Sequence, residues 1–162
     1  MPQLGIISDT HGLLRPQAIA ALRGCDAIIH AGDVGAPSVL EELRELAPLF
    51  VVRGNVDRDA WADNLPPTEL IEMGGRSLYV LHDLADLNLD PPTAEFHAVI
   101  FGHTHRPLIE WRQDVLYLNP GSAGPRRFNL PITVAQLRLR DGALEPRIMN
   151  LMRPEASLAT GG

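Results

Sequence analysis

Seven polar side chains with metal-ligand chemistry each follow a short apolar run in this 162-residue chain. His103 and His105 are the most concentrated pair, because a single residue separates them and the apolar run 98–101 precedes them. The other five are Asp9, His11, Asp33, Asn55 and His82. Mixed imidazole and oxygen ligands suit divalent ions of the Mn, Fe, Co, Ni and Zn series, whereas a purely oxygen set would favour Mg or Ca. Two ions could each obtain about four ligands if one carboxylate bridges them.

Asp33 is the expected bridge, because the neighbouring Gly32 and Gly35 allow backbone and ions to approach closely. Two divalent ions carry four positive charges, two aspartates remove two of these, and a bridging hydroxide removes one more. About one positive charge remains, and it would attract an anionic phosphoester. Asn55 adds an oxygen ligand without cancelling this surplus, which an aspartate at the same position would do.

The elements that must position these side chains alternate between strand and helix in the first half. The pattern predicts strands at 4–7, 27–31 and 49–52 and helices that begin at Pro16 and Pro37. Such alternation favours parallel strands joined by crossover helices. In parallel sheets ligands bind beyond the carboxyl ends of the strands, which is where Asp9, Asp33 and Asn55 fall.

The second half is rich in strands. It predicts hairpins at 69–81, 108–118 and 132–149 and a single strand at 98–101. We therefore expect two sheets packed face to face with helices outside. The prediction is one domain over residues 1–152, and a disordered tail over residues 153–162, where no apolar pattern continues.

Composition excludes several classes of function. The 14 basic residues are outnumbered by 20 acidic ones, which gives a formal net charge of −6 and no general basic surface for nucleic acid. No apolar run approaches the roughly 20 residues of a membrane span, and the N-terminus lacks a signal-peptide pattern. A single cysteine, Cys25, fits a reducing compartment. We expect a cytoplasmic protein that does not contact the membrane.

The order of these motifs resembles the calcineurin-like metallophosphoesterase superfamily. The resemblance rests on Asp9-x-His11, Gly32-Asp33, Gly54-Asn55, His82 and Gly102-His103-x-His105, and it runs from Met1 to Met149. The small size and the sequence Asn119-Pro120-Gly121-Ser122 are similar to the short bacterial and archaeal phosphodiesterase branch, the YfcE-like group. The implied fold is α/β, a four-layer α/β/β/α sandwich of two mixed sheets with flanking helices.

The resemblance also implies a centre of two divalent metal ions. By the family pattern one ion is held by Asp9, His11 and His105, the other by Asn55, His82 and His103, and Asp33 joins the two. Asp33, Asn55 and His103 are then the catalytic residues. The implied reaction is hydrolysis of a small phosphoester, most simply a phosphodiester, by a hydroxide that bridges the metals. Mn is the expected ion, with Fe, Ni, Zn, Co and Mg as the other possibilities.

Two alternatives to a phosphodiesterase stay open. One is a phosphomonoesterase or nucleotidase of the same fold. The other is a non-catalytic interaction scaffold, which the retromer subunit resembling this family exemplifies. Exposed strand edges in the second half would also allow a homodimer.

Several residues near the motifs remain ambiguous in the sequence. Many larger family members have a histidine where this chain has Val56, so no general acid is assigned. Arg126 and Arg127 are either substrate-phosphate ligands or an ordinary solvated pair. His30 either orients a carboxylate or lies in the core. His97 lacks a flanking motif and is expected on the surface.

Overall fold

The computed structural model describes residues 2–152 and contains two five-stranded sheets. The strands are β1 (Gln3–Ile7), β2 (Ala27–His30), β3 (Leu49–Val51), β4 (Thr68–Met73), β5 (Arg76–Leu81), β6 (Ala98–Ile100), β7 (Leu108–Arg112), β8 (Val115–Asn119), β9 (Thr133–Arg140) and β10 (Ala143–Asn150). The α-helices of these residues are α1 (Pro16–Leu22) and α2 (Pro37–Leu46). The predicted tail, 153–162, lies outside the described residues.

The first sheet has the order β10-β9-β1-β2-β3. Strands β1, β2 and β3 run parallel and are joined by α1 and α2, as the alternation predicted. Both helices have proline in their first turn, where the missing N–H would have no helical partner. Strand β9 pairs antiparallel with β1 and brings the end of the chain back into this sheet.

The second sheet has the order β4-β5-β6-β8-β7, with β5, β6 and β8 parallel. Its two hairpins turn where the sequence predicted. Gly74 and Gly75 have φ of 59° and 77°, and Gln113 and Asp114 have φ of 49° and 63°. Positive φ at both central residues is the requirement of a two-residue hairpin whose twist matches its strands.

Three apolar clusters define the layers. Leu4, Ile29, Leu78 and Leu118 belong to the cluster between the sheets, and a second cluster packs α1 and α2 against the outer face of the first sheet. The predicted four-layer sandwich of two mixed sheets is confirmed. Over the outer face of the second sheet the covering layer is not an α-helix; there, Leu84 of the 3₁₀ turn Leu84–Asp86 and nearby residues pack on the sheet.

No helix within residues 2–152 has the length and apolar character that a membrane crossing requires. The carboxyl ends of β1, β2 and β3 in one sheet and of β5 and β6 in the other open at the same end of the sandwich. The loops that follow these strands carry the seven candidate ligands.

Candidate metal centre

The seven candidate ligands lie on loops with an unusual backbone. Five of them, Asp9, His11, Asp33, His103 and His105, have φ between 48° and 74°. Residues other than glycine adopt this left-handed region infrequently, and they do so mainly where the surrounding structure enforces it at functional sites. The strand ends thus hold these side chains in a conformation that the isolated loops would disfavour.

Asp9, His11 and His105 form one group. Their ligand atoms all lie within 4.8 Å of one another. His11 Nε2 and His105 Nε2 are 3.4 Å apart, and Asp9 Oδ1 lies 3.9 Å and 3.4 Å from them. The group is held by β1 on one side and by the loop after β6 on the other, so it joins the two sheets.

Asp33, His82 and His103 form a second group with the same spacing limit. Asp33 Oδ2 is 3.3 Å from His82 Nε2, and His103 Nδ1 is 3.1 Å from Asn55 Oδ1. Asn55 and His103 are exposed, whereas Asp33 and His82 are buried. This half of the centre is therefore the half that opens to solvent.

Asp33 belongs to the second group but also faces the first. Its Oδ2 atom is 3.3 Å from His82 Nε2 in one group and 3.7 Å from His11 Nε2 in the other. Its Oδ1 atom accepts a hydrogen bond from the backbone N–H of Val56. One carboxylate oxygen is thus fixed by the β3 loop, and the other faces ligands of both groups.

The atoms of the centre are suited to binding metal cations. Asp9 Oδ1 and His82 Nε2 are buried and have no hydrogen-bond partner in the described part of the chain. Separations of 3.3 to 3.9 Å between donor atoms are mostly too long for hydrogen bonds. A tetrahedral ion with bonds of about 2.1 Å would separate its ligands by roughly 3.4 Å. Buried lone pairs aimed at one another at this spacing are the donor set of a metal site.

Hydrogen bonds orient the ligand atoms. Asp9 Oδ2 accepts from Ser8 Oγ at 2.7 Å and from the His103 N–H at 3.1 Å, which leaves Oδ1 for the centre. His82 Nδ1 lies 2.7 Å from the Ala31 carbonyl. A carbonyl can only accept, so Nδ1 donates, and a neutral His82 presents the lone pair of Nε2.

Without metal, the nearby carboxylates favour the protonated form of His82. Burial lowers the pKa of His82, but the Asp33 carboxylate, 3.3 Å from Nε2, and the charge of Asp9 outweigh burial and raise it. Burial raises the pKa of Asp33, but its contacts with His82 and the Val56 N–H outweigh that and lower it to about 2. A metal must displace the proton on His82, so we expect affinity to fall as the pH is lowered.

His11 differs from His82. Burial, Arg127 and His105 lower its pKa more than Asp33 and Asp9 raise it, so the imidazole is neutral at pH 7. The influence of Arg127 puts its positive charge within electrostatic reach of the centre. Arg126 and Arg127 are both exposed, on the loop after β8.

His30 supports the loops and does not touch a carboxylate ligand. It is fully buried, its Nδ1 accepts from the Gly32 N–H, and its Nε2 donates to the Thr10 hydroxyl, which donates to the Val34 carbonyl. Burial lowers the pKa of His30 to about 4. A neutral histidine therefore links the loop after β1 to the loop after β2.

Asp57 is a functional neighbour that the sequence reasoning missed. It is buried, and its carboxylate accepts from the backbone N–H groups of Val34, Gly35 and Gly54 at 2.9 to 3.1 Å. These bonds tie the loop that carries Asp33 to the loop that carries Asn55. An aspartate three residues after a glycine, in a loop rich in backbone donors, was the available signal.

The glycines in the motifs allow neighbouring loops to approach each other closely. A side chain at Gly54 would collide with the backbone and carboxylate of Asp33, and one at Gly102 would collide with Ser8 and Asp9. The sequence attributed Gly32 and Gly35 to the close approach of backbone and ions. At Gly35 a side chain would collide with the backbone of His11 and Gly12, and at Gly32 it would overlap the His82 ring.

Asn119 shapes the His103 loop. Its amide donates to the Gly102 carbonyl and to Thr104 Oγ1, and its Oδ1 accepts from the Gly121 N–H. His97 is not the plain surface residue that was predicted. It is half-buried, and its Nδ1 accepts from the Ser77 N–H at the end of the sandwich opposite the centre.

Comparison with known proteins adds three findings. A sequence model described as the calcineurin-like phosphoesterase superfamily domain matches residues 3–142. A protein of Methanothermobacter thermautotrophicus named "Probable metallophosphoesterase" is 34% identical, with 93% of this chain and 94% of that protein covered. Phosphodiesterase YfcE of Escherichia coli is 28% identical over 85% of this chain and 88% of its own length.

Solved structures share the same architecture. The crystal structure of Vps29 from Chaetomium thermophilum superposes with a TM-score of 0.77 and covers 96% of this chain and 89% of that chain. Its sequence is 18% identical, so this likeness concerns the fold alone.

Proposed function

Because this chain belongs to the calcineurin-like phosphoesterase superfamily and is a metal-dependent phosphoester hydrolase, we propose that it hydrolyses phosphodiesters at a centre of two divalent ions. The observation that carries the two-ion proposal is the position of Asp33 Oδ2. This oxygen faces a histidine of each group, at 3.3 Å and 3.7 Å. Asp9 Oδ1 also faces both groups, at 3.4 Å from His105 Nε2 and 3.8 Å from His82 Nε2, so the two carboxylates together line the space between the groups. A carboxylate oxygen shared in this way is the natural bridge of a dinuclear site.

The proposed ligand sets follow the two groups. Asp9 Oδ1, His11 Nε2 and His105 Nε2 would hold one ion, and His82 Nε2, His103 and the Asn55 amide oxygen would hold the other. Asp33 Oδ2 would serve both ions. When bound, the ions supply Lewis acidity, which lowers the pKa of water and neutralises charge on the phosphoryl oxygens.

The chain's own residues would prepare the reaction. Asp33 and Asp9 are each fixed through one oxygen, so neither has to rotate when the ions and substrate arrive. His82 is held by the Ala31 carbonyl in the tautomer that binds metal. The exposed pair Asn55 and His103 forms the side of the centre at which a phosphoester can enter.

The charge of the centre suits an anionic phosphoester. The two ions would bring four positive charges and the carboxylates of Asp9 and Asp33 remove two, so a positive surplus remains. A diester carries one negative charge and a monoester close to two at neutral pH, so charge alone does not favour the diester. The diester is proposed because a relative of this chain, YfcE of Escherichia coli, is named a phosphodiesterase. Arg127 adds a positive charge that influences His11.

Val56 leaves the proposed active site without an obvious proton donor for the leaving group. Its side chain is 45% exposed beside Asn55, and only its backbone N–H engages the centre. General acid catalysis typically contributes about 10²–10⁴-fold. We therefore propose that good leaving groups are preferred.

Manganese is the proposed ion. Four imidazoles, two carboxylates and one amide oxygen are a mixed set that Mn accepts, and Fe, Ni, Zn and Co accept it as well. The set contains no thiolate ligand, since Cys25 is buried elsewhere.

A non-catalytic scaffold is the second candidate function, because solved Vps29 structures share this fold. The donor set argues for the enzyme. All seven proposed ligands are present and lie together, and three of their side-chain atoms are buried without hydrogen-bond partners, which a scaffold would not require.

The test is an assay of metal-stripped protein on a diester and a monoester with the same nitrophenol leaving group. Adding back Mn²⁺ should restore hydrolysis, with kcat/KM higher for the diester. Asp33→Asn protein, purified in parallel, controls for contaminating phosphatases and should stay inactive. Hydrolysis that does not depend on added metal, or that is equally fast in Asp33→Asn protein, would refute the proposal.

A further inference from the structure

The four edge strands of the two sheets differ in what they offer to another strand. The edges are β3 and β10 in the first sheet and β4 and β7 in the second. An edge presents unpaired N–H and C=O groups, and native proteins usually block it with shortness, like charges or proline.

Three of these edges carry such a block. Strand β3 has three residues, and β10 contains Pro146, which has no N–H. Strand β4 contains Glu69 and Glu72 and no basic residue, so two copies of it would repel each other.

Strand β7 has none of these blocking features. It contains one acidic and one basic residue, Glu110 and Arg112, whose side chains meet at 2.7 Å. Two large apolar side chains, Ile109 and Trp111, are 41% and 51% exposed on its other face. The edge is thus neutral in charge, continuous and apolar on one side.

The backbone of Ile109 and Trp111 faces solvent. In the β7–β8 pair these residues lie opposite Leu118 and Leu116. The Leu116 N–H bonds to the His97 carbonyl and the Leu118 carbonyl accepts from the Phe101 N–H, so both leucines direct these groups toward β6. Their partners in β7 are therefore non-hydrogen-bonded positions, whose N–H and C=O groups point away from β8.

We propose that β7 pairs antiparallel with β7 of a second copy of this chain, about a two-fold axis at Trp111. Trp111 then lies opposite Trp111 of the partner subunit. Glu110 lies opposite Arg112 of the partner subunit, and Arg112 opposite Glu110 of the partner subunit. In this register residues 110–112 of the two strands pair, because residues 108 and 109 fall opposite the partner's turn. The pairing joins the two five-stranded sheets edge to edge and forms two ion pairs between the subunits.

Charge selects this register among its neighbours. Moving the axis one residue toward the N-terminus places Glu110 opposite Glu110 of the partner subunit. Moving it one residue the other way places Arg112 opposite Arg112 of the partner subunit. Like charges directly opposite each other destabilise a sheet, so the register centred on Trp111 is favoured.

A concave surface of about 280 Å³ adjoins the axis and enlarges the interface. Trp111 lines it together with Leu144 and Ala143 of the neighbouring sheet edge. A five-residue strand with one such hollow buries less than a standard interface of about 1,200–2,000 Å². We therefore expect a dissociation constant on the order of micromolar.

Sedimentation velocity over about 2–200 µM protein tests the dimer, and it is independent of the proposed enzymatic activity. Trp111→Lys should raise the dissociation constant at least about 30-fold, as loss of a central interface tryptophan does. Leu70→Lys is the matched control, because Leu70 is 48% exposed on the opposite edge strand β4. It should leave dimerisation unchanged.

A charge exchange tests the register without touching the apolar face. Glu110→Arg and Arg112→Glu should each weaken self-association about tenfold or more. An equimolar mixture of the two variants should dimerise at least as well as the wild type, because positions 110 and 112 again face opposite charges across the axis. Neither variant regains its intrachain ion pair in the mixture, so recovery reports the intermolecular contact.

Three results would overturn the proposal. The wild-type protein could stay monomeric throughout the concentration range, Trp111→Lys could leave the dissociation constant unchanged, or the mixture of charge variants could dimerise no more tightly than either variant alone. Thermal unfolding of each variant verifies that it is folded.

Discussion

Replacing Asp57 tests how the loops that carry Asp33 and Asn55 are held in place, because the Asp57 carboxylate accepts hydrogen bonds from backbone N–H groups. Replacing it with alanine removes the acceptor of three N–H groups, those of Val34, Gly35 and Gly54, at a site where the aspartate is 2% exposed. The substitution leaves all seven proposed metal ligands in place, so any loss of metal affinity has to come from their positions.

The magnitude follows from the three bonds. A hydrogen bond to a charged group contributes about 1.5–3 kcal/mol, and the lower value gives about 4.5 kcal/mol for the three bonds lost in Asp57→Ala. Asp57→Asn is the graded variant. Its amide oxygen can keep the bonds from Val34 and Gly54, while its NH₂ group faces the Gly35 N–H as donor against donor. The expected cost is about 1.5–2 kcal/mol.

Urea unfolding of metal-free protein measures these costs without the contribution of bound ions. Titration calorimetry with Mn²⁺ then measures the second effect. Loss of a residue that orients a ligand typically lowers metal affinity about 10–100-fold. Asp57→Ala should fall in that range, with Asp57→Asn between it and the wild type.

The reasoning would be refuted if Asp57→Ala unfolded within about 0.5 kcal/mol of the wild type and bound Mn²⁺ equally well. That outcome would mean that the two loops keep their positions without this carboxylate.

Three further outcomes are expected. Asp33→Ala and His105→Ala should abolish hydrolysis, whereas His97→Ala should keep it in a phosphoesterase assay; equal losses would undo the ligand assignment. Val56→His should speed hydrolysis of poor leaving groups selectively, and an equal effect on good ones would count against a missing general acid. Because His30 has a pKa of about 4 when folded and 6.5 when unfolded, stability should fall by about 3 kcal/mol between pH 6.5 and 4. His30→Gln should flatten this decline in urea unfolding at several pH values.

Local pattern predicted most elements of the fold. Proline in the first turn set the starts of α1 and α2, and the Gly74-Gly75 and Gln113-Asp114 turns set both hairpins of the second sheet. Local pattern did not predict which strands pair with one another. The hairpin of β9 and β10 looks like its neighbours in sequence, yet β9 pairs with β1 at the start of the chain. Alternating residues can serve either sheet, and only packing decides between them.

The proposed ligands could be predicted from the sequence because carboxylate and imidazole side chains at strand ends have a recognisable chemistry. The residues that support them could not be predicted in this way. Asp57 accepts from Gly54 in its own loop but also from Val34 and Gly35 of another loop, and His30 bonds to Thr10, so the partners that make these residues supports are distant in the sequence. The left-handed backbone at five of the ligands was not predicted, although Asp and His are among the residues that adopt it more often than others.

Metal stoichiometry tests the central claim most directly. Wild-type protein, dialysed against buffered Mn²⁺ and analysed by elemental mass spectrometry, should hold two ions per chain. Asp33→Ala should retain fewer, because one of the two carboxylate oxygens that face both groups is gone. One ion or none in the wild type, or two ions bound undiminished by the variant, would contradict a dinuclear centre bridged by Asp33.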